Sequence, residues 1–258
     1  TIINHLKLIG YNLTPPDGSV VEVTFSHEEE TPITAEIEAG FQMSTTGLDG
    51  NVVYFELMAN KNDYVTPLKI ENKVSETFLA YSGQRIEKEI LVDKNEDFEI
   101  LLPNTSIIKD SIRVFLVLNE LGDLQELEEI TSLVLAGGDT EFPRYTISYN
   151  HDFSATIKFG KENFGGSFGD ITEGIEETYK SLIVQYKIGG GLATNIPPNT
   201  LKGKIKRNGY NLTYTNNSSA TGGANGESIE DAKRLAPLTV KTVNKTNTPE
   251  DYVCLLYT

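Results

Sequence analysis

Short alternations of apolar and polar residues, cut by turn residues, recur along most of the chain and set its predicted elements. Ser19–Phe25 alternates with β-branched and aromatic residues, as a half-buried strand does. Thr34–Ile37, Phe41–Ser44 and Val52–Leu57 follow in the same style, separated by the Glu38-Ala39-Gly40 corner and the Asp49-Gly50 turn. Asp-Gly between apolar alternations is a strong hairpin signal, because glycine accepts positive φ. Further strands are predicted at Thr77–Tyr81, Lys88–Leu91, Phe98–Leu101, Ile112–Leu118, Tyr145–Tyr149, Thr156–Phe159 and Ser181–Ile188. Leu121–Leu127 and Ile130–Leu135 fit strand and helix equally, since short apolar runs do not separate the two periods. Many short strands between turn signals predict a mainly β (α+β) chain with a multi-stranded antiparallel β body.

Helical periodicity is confined to the two ends. Ile2, Ile3, Leu6 and Ile9 share one face and Gly10 is a C-cap, which predicts the end of a helix begun upstream of residue 1. Residues 208–226 are almost entirely small and polar, the composition of a linker. Beyond them Ser228 is the expected N-cap, Glu230 and Asp231 suit the first turn, and Pro237 is the expected stop. Leu238–Val243 reads as extended. Thr248-Pro249-Glu250-Asp251 signals a second helix, which would bury Val253, Leu255 and Leu256 and run on past Thr258.

Composition narrows the chemistry. The 258 residues carry 37 acidic against 22 basic side chains, a net charge of -15. That excess repels phosphate backbones and argues against nucleic acid as a partner. No apolar run approaches the ~20 residues of a spanning helix, so no membrane association is expected. The single cysteine, Cys254, excludes an intrachain disulfide framework and reads as a small core residue. Glu28-Glu29-Glu30 lacks the alternating oxygen ligands and turn glycine of a calcium loop and reads as a solvated hairpin tip. The glycine clusters at 165–169 and 189–191 lie between strands, without the following helix N-terminus that a phosphate loop needs. They predict tight turns and close backbone approach. No catalytic residue, cofactor or metal is expected. Of the three histidines, His5 reads as packed or exposed rather than as a ligand.

The stretch from Gly222 to Tyr252, GGANGESIEDAKRLAPLTVKTVNKTNTPEDY, resembles the signature of the baseplate J-like family, wedge proteins of contractile-tailed bacteriophages and related injection machines. The family pattern is a Gly-Gly-x-x-Gly-Glu lead-in, a helix ending Arg-x-Ala-Pro, a short strand and then Thr-x-Glu-Asp-Tyr. Gly222, Gly223, Gly226, Glu227, Arg234, Ala236, Pro237, Thr248, Glu250, Asp251 and Tyr252 occupy those places. Ser19–Phe25 with its following corner and turn is similar to the family's first β segment. Ile157–Gly160 with Gly165, then Tyr186–Gly191 and Asn195, is similar to its glycine-rich hairpins, although Lys161-Glu162 departs from the usual Asp-Gly.

The resemblance implies an organisation: residues 1–80 as helix end plus β segment, 81–154 as an inserted β-rich domain, and 155–207 as central hairpins completing the β body. A linker over 208–226 and a helical arm over 227–258 complete it. It also implies a structural part in the virion's tail baseplate, made in the host bacterial cytoplasm. Such a part would link neighbouring wedge proteins and copies of itself into the ring around the tail hub and help trigger sheath contraction. The family supplies no catalytic residues. Two other classes compete: a carbohydrate- or receptor-binding β module of a phage tail, weakened by the absence of Trp, and a carboxylate-pair glycosidase, for which no motif fixes two acids across a cleft.

Overall fold

The computed structural model describes residues 11–92, 99–118, 123–133, 142–160, 164–166 and 181–242. The helix end expected over 1–10, the helical start at Thr248–Asp251, Tyr252 and Cys254 lie outside them. Strands dominate, and the chain is mainly β as its alternation predicts.

A first β body holds β1 (Val20–His27), β2 (Ile33–Ile37), β3 (Gln42–Thr46), β4 (Val52–Leu57), β5 (Leu68–Lys73) and β6 (Ser75–Ser82). Late in the chain β14 (Lys202–Arg207) and β15 (Tyr210–Thr215) return to it. They form an antiparallel sheet in the order β14-β15-β1-β6-β4-β3, faced by the two-stranded ribbon β2-β5. Alternation in β2 sends Ile33, Ala35 and Ile37 inward, where they meet Val21, Val23, Phe25, Phe55, Leu57 and Leu212 from the sheet. Phe25 sits among Phe41, Phe78 and Tyr214 with ring centroids 5.4 to 6.5 Å away. Each large apolar side chain removed from water in this way contributes roughly 1.5–3 kcal/mol.

A second body holds β7 (Gln84–Leu91), β8 (Glu99–Leu102), β9 (Arg113–Val117), β10 (Leu124–Glu126), β11 (Tyr145–Tyr149), β12 (Ala155–Phe159) and β13 (Ser181–Ile188). Its sheets, β10-β9-β13-β7 and β11-β12-β8, close over Leu102, Val114, Ile147, Ile157, Leu182 and Val184. The chain leaves the first body at Ser82 and comes back only after Ile188, whose partner in β7 is Gln84. An insertion is therefore present, but the expected boundary after 154 does not hold. β12 pairs with β8 and β11, and β13 with β7 and β9, because their apolar faces match this core rather than the first.

Two other expectations are corrected. The supposed linker 208–226 contains β15, bonded to β14 on one side and β1 on the other. Its polar residues are ordered because their groups are satisfied. Buried Asn216 accepts from the Thr200 and Leu201 N–H groups and donates to the carbonyls of Pro197 and Ser218. Pro237 does not stop the helix: α1 spans Ile229–Thr242, so Leu238–Thr242 is helical rather than extended. A proline deep in a helix removes one N–H bond and crowds the carbonyl four residues back. Here Ala232 and Ala236, one turn apart, pack into the second core and hold the helix across that defect. Among the described residues no helix is long and apolar enough to cross a membrane.

Candidate assembly junction

The segments singled out by resemblance meet in space. Residues 17–20 and 221–224 bond as a short antiparallel pair: Asp17 N–H to Ala224 O, Val20 N–H to Thr221 O, and Thr221 N–H back to Val20 O, at 2.8, 2.8 and 3.0 Å. Gly191 N–H adds a bond to Asp17 O. Asn195 then clamps Gly223 from both directions, its Nδ2 donating to the carbonyl at 2.8 Å and its Oδ1 accepting the N–H at 2.9 Å. Asn225 Oδ1 accepts Leu192 N–H in turn. Glycine-rich lead-in, glycine-rich turn and first-strand approach thus form one joint between the two bodies.

The glycines have separate reasons. Gly222 adopts φ +95°, a conformation favouring glycine. At Gly223 a Cβ would lie 2.6 Å from Gly191 O, and at Gly226 it would enter the ring of Phe153, so both are places of close approach. Phe153 itself holds φ +57° at the β11–β12 connection and packs against the second core. Neither Phe153 nor the reciprocal use of Asn195 carries a sequence signal beyond residue type. Asp17-Gly18 carries no sequence signal beyond that of a turn.

Glu227 ends the joint. Its N–H donates to Thr14 O at 2.8 Å, Oε2 accepts Thr14 N–H, and Oε1 accepts the Tyr11 hydroxyl at 2.5 Å. Burial first, and the neighbouring carboxylate second, push Tyr11 up to about 12. Ser228 Oγ accepts Asp231 N–H, the expected N-cap. Of the remaining signature residues, Ala236 is buried while Arg234 and Pro237 are exposed. Arg234 pairs with Asp231 at the surface, where such pairs contribute little. Thr248, Glu250, Asp251 and Tyr252 lie outside the described residues.

Comparison with protein-family models and with curated proteins finds no match.

A second polar feature spans the same seam. Glu56 on β4 and Lys187 on β13 lie 3.1 Å apart with side chains 4% and 5% exposed. Glu56 also accepts the Tyr64 hydroxyl and the Arg85 N–H, both at 2.8 Å. Lys187 Nζ is close enough for charge attraction but makes no hydrogen bond among the described residues. Burial holds the Lys187 ammonium below the usual lysine range, Glu56 opposes that, and Lys61 and Arg85 reinforce it. Beside it an open cleft of about 650 Å³ is lined by Tyr64, Arg85, Arg113, Phe115 and Gln185. Arg113 is held there by Glu126 in a two-pronged pair. Among the described residues no group of three or more His, Cys, Asp or Glu could hold a metal ion.

Proposed function

We propose that this protein is a structural component of a phage tail baseplate wedge, linking neighbouring subunits around the tail hub and acting through protein contacts rather than catalysis. The observation that carries this reading is the convergence of Gly222, Gly223, Gly226 and Glu227 with the turn at 189–195 and the approach to β1. A signature concentrated where two β bodies and a helix are joined fits a part whose function is to hold a fixed shape under load. Asn195, Glu227 and the backbone groups of the paired segments bond within the chain, which ties the joint together. In an assembly test the protein is mixed with the other wedge proteins of its tail and followed by sedimentation. A defined complex is expected, and absence of any complex under tail-assembly conditions would overturn the reading.

The cleft beside Tyr64 favours one second reading, a carbohydrate- or receptor-binding β module. Its walls combine Tyr64 and Phe115, each with an arginine guanidinium stacked over its ring, with further polar groups, a mixture of apolar and polar lining found in ligand clefts. A specific binder on a glycan array, lost on Tyr64→Ala, would favour it over the wedge.

A further inference from the structure

Two sheet edges on different bodies expose outward residues of opposite charge, and their geometry fits them to each other across two copies of the chain. β14 is one edge of the first sheet. Its hairpin closes on Arg207 and Tyr210 around two residues, so Gly203, Ile205 and Arg207 direct their backbone groups towards β15. Those of Lys202, Lys204 and Lys206 point away from β15, and the same three side chains are exposed, while β2 approaches the hairpin end, where Glu36 N–H bonds Asn208 Oδ1. β7 is an edge of the four-stranded sheet. Arg85 N–H meets Glu56 instead of β13, so the odd-numbered residues of β7 face outward. Of these, Glu87, Glu89 and Leu91 are exposed, while Arg85 is half-buried and pairs with Glu87. Among the described residues neither edge pairs with a further strand.

We propose that these edges join copies of the chain head to tail, β14 of one copy adding in antiparallel alignment to β7 of the next. The register that sets Lys206 against Glu87, Lys204 against Glu89 and Lys202 against Leu91 satisfies the outward backbone groups of all six residues. It also places two opposite-charge pairs on one sheet face, where such cross-strand pairs stabilise. Lysines on an edge ordinarily discourage pairing. Here they discourage β14 from meeting another β14, and the glutamates discourage β7 from meeting another β7, while the mixed pair is favoured. Lys202, Lys206 and Glu89 have no ion pair among the described residues. Lys204 pairs with exposed Glu28 and Glu87 with half-buried Arg85, pairs whose carboxylate and ammonium a neighbouring strand can share. A contact between unlike patches repeats, closing a ring or growing a filament. The inference does not depend on the baseplate reading.

Sedimentation velocity of the intact chain over a concentration series tests it. The weight-average coefficient is expected to rise with concentration and to fall with added salt, which screens exposed charges. The triple variant K202E/K204E/K206E and the double variant E87K/E89K are each expected to stay monomeric with unchanged circular dichroism. Mixing them restores association, because each then offers an edge of the sign the other lacks. A chain monomeric at every concentration, association unmoved by either reversal, or a mixture that stays monomeric overturns the proposal. Register is read separately: K204C/E89C in a C254S background should give an oxidised ladder, since facing Cα atoms about 5.5 Å apart suit a disulfide. Absence of the ladder overturns the register.

Discussion

At the scale of single residues the seam between the bodies rests on Glu56 and Lys187, and their energetics are asymmetric. Burying the pair removes two charges from water, a cost their attraction barely offsets, whereas removing one partner strands the other. Lys187→Met should therefore destabilise by about 3–5 kcal/mol in urea denaturation. The double variant E56Q/K187M should recover most of that, because a glutamine oxygen still accepts Arg85 N–H without a buried charge. A neutral Lys187→Met would mean that the ammonium is solvated. Gly226 gives a second residue-scale test, one of room rather than conformation. A methyl group there meets the Phe153 ring, and overpacking costs about 1–3 kcal/mol. Gly226→Ala should lose that much, and adding Phe153→Leu should cost less than the sum of the two single changes.

Among elements, α1 and β15 show where the sequence was legible and where it was not. Strands with clean alternation, such as β2 and β6, were readable because period and burial agree. β15 was not: Leu212 is its only fully buried side chain, and its place comes from backbone bonds to strands far away in the chain. Strand preference reflects such surroundings more than composition. The N-terminus of α1 was legible through Ser228, but its length was not, since packing of Ala232 and Ala236 overrides the signal of Pro237. The joint was legible as a motif, yet its partners Phe153, Tyr11 and Thr14 were not, being fixed only by folding. Pro237→Ala should restore a bond to the Lys233 carbonyl and raise helical dichroism and melting temperature, with a gain of up to about 3 kcal/mol. The Tyr11–Glu227 tie gives a pH dependence. Tyr11 is raised from 10.0 to about 12, so its contribution is fully present below the unfolded value and is lost as pH rises through the folded one. The stability difference between the intact chain and Tyr11→Phe should be constant below pH 10 and shrink towards pH 12. A difference that stays constant across that range would place the hydroxyl outside the tie.

For the whole molecule, the two cores share no residue, yet the second takes Leu13, Ala232 and Ala236 from segments flanking the first. Among the described residues the first core takes nothing from 84–188. Gln84 and Ile188 face each other across β7 and β13, so the ends of the insertion lie about 5 Å apart, a gap a short glycine linker spans. Replacing 84–188 by such a linker, with Glu56→Gln to avoid a stranded charge, should leave the first body folded with one cooperative urea transition. Its m-value should be smaller, since less surface is exposed on unfolding. The helical signal should fall at the same time, because Ala232 and Ala236 lose the core they pack against. If the shortened chain shows no cooperative transition, the first body depends on the second through the junction rather than through its core. If the helical signal persists, α1 is held by the Glu227 and Ser228 contacts alone. The expected result, a folded body with a released helix, would assign the junction the task of fastening the helix and the insertion to a sheet that stands without them.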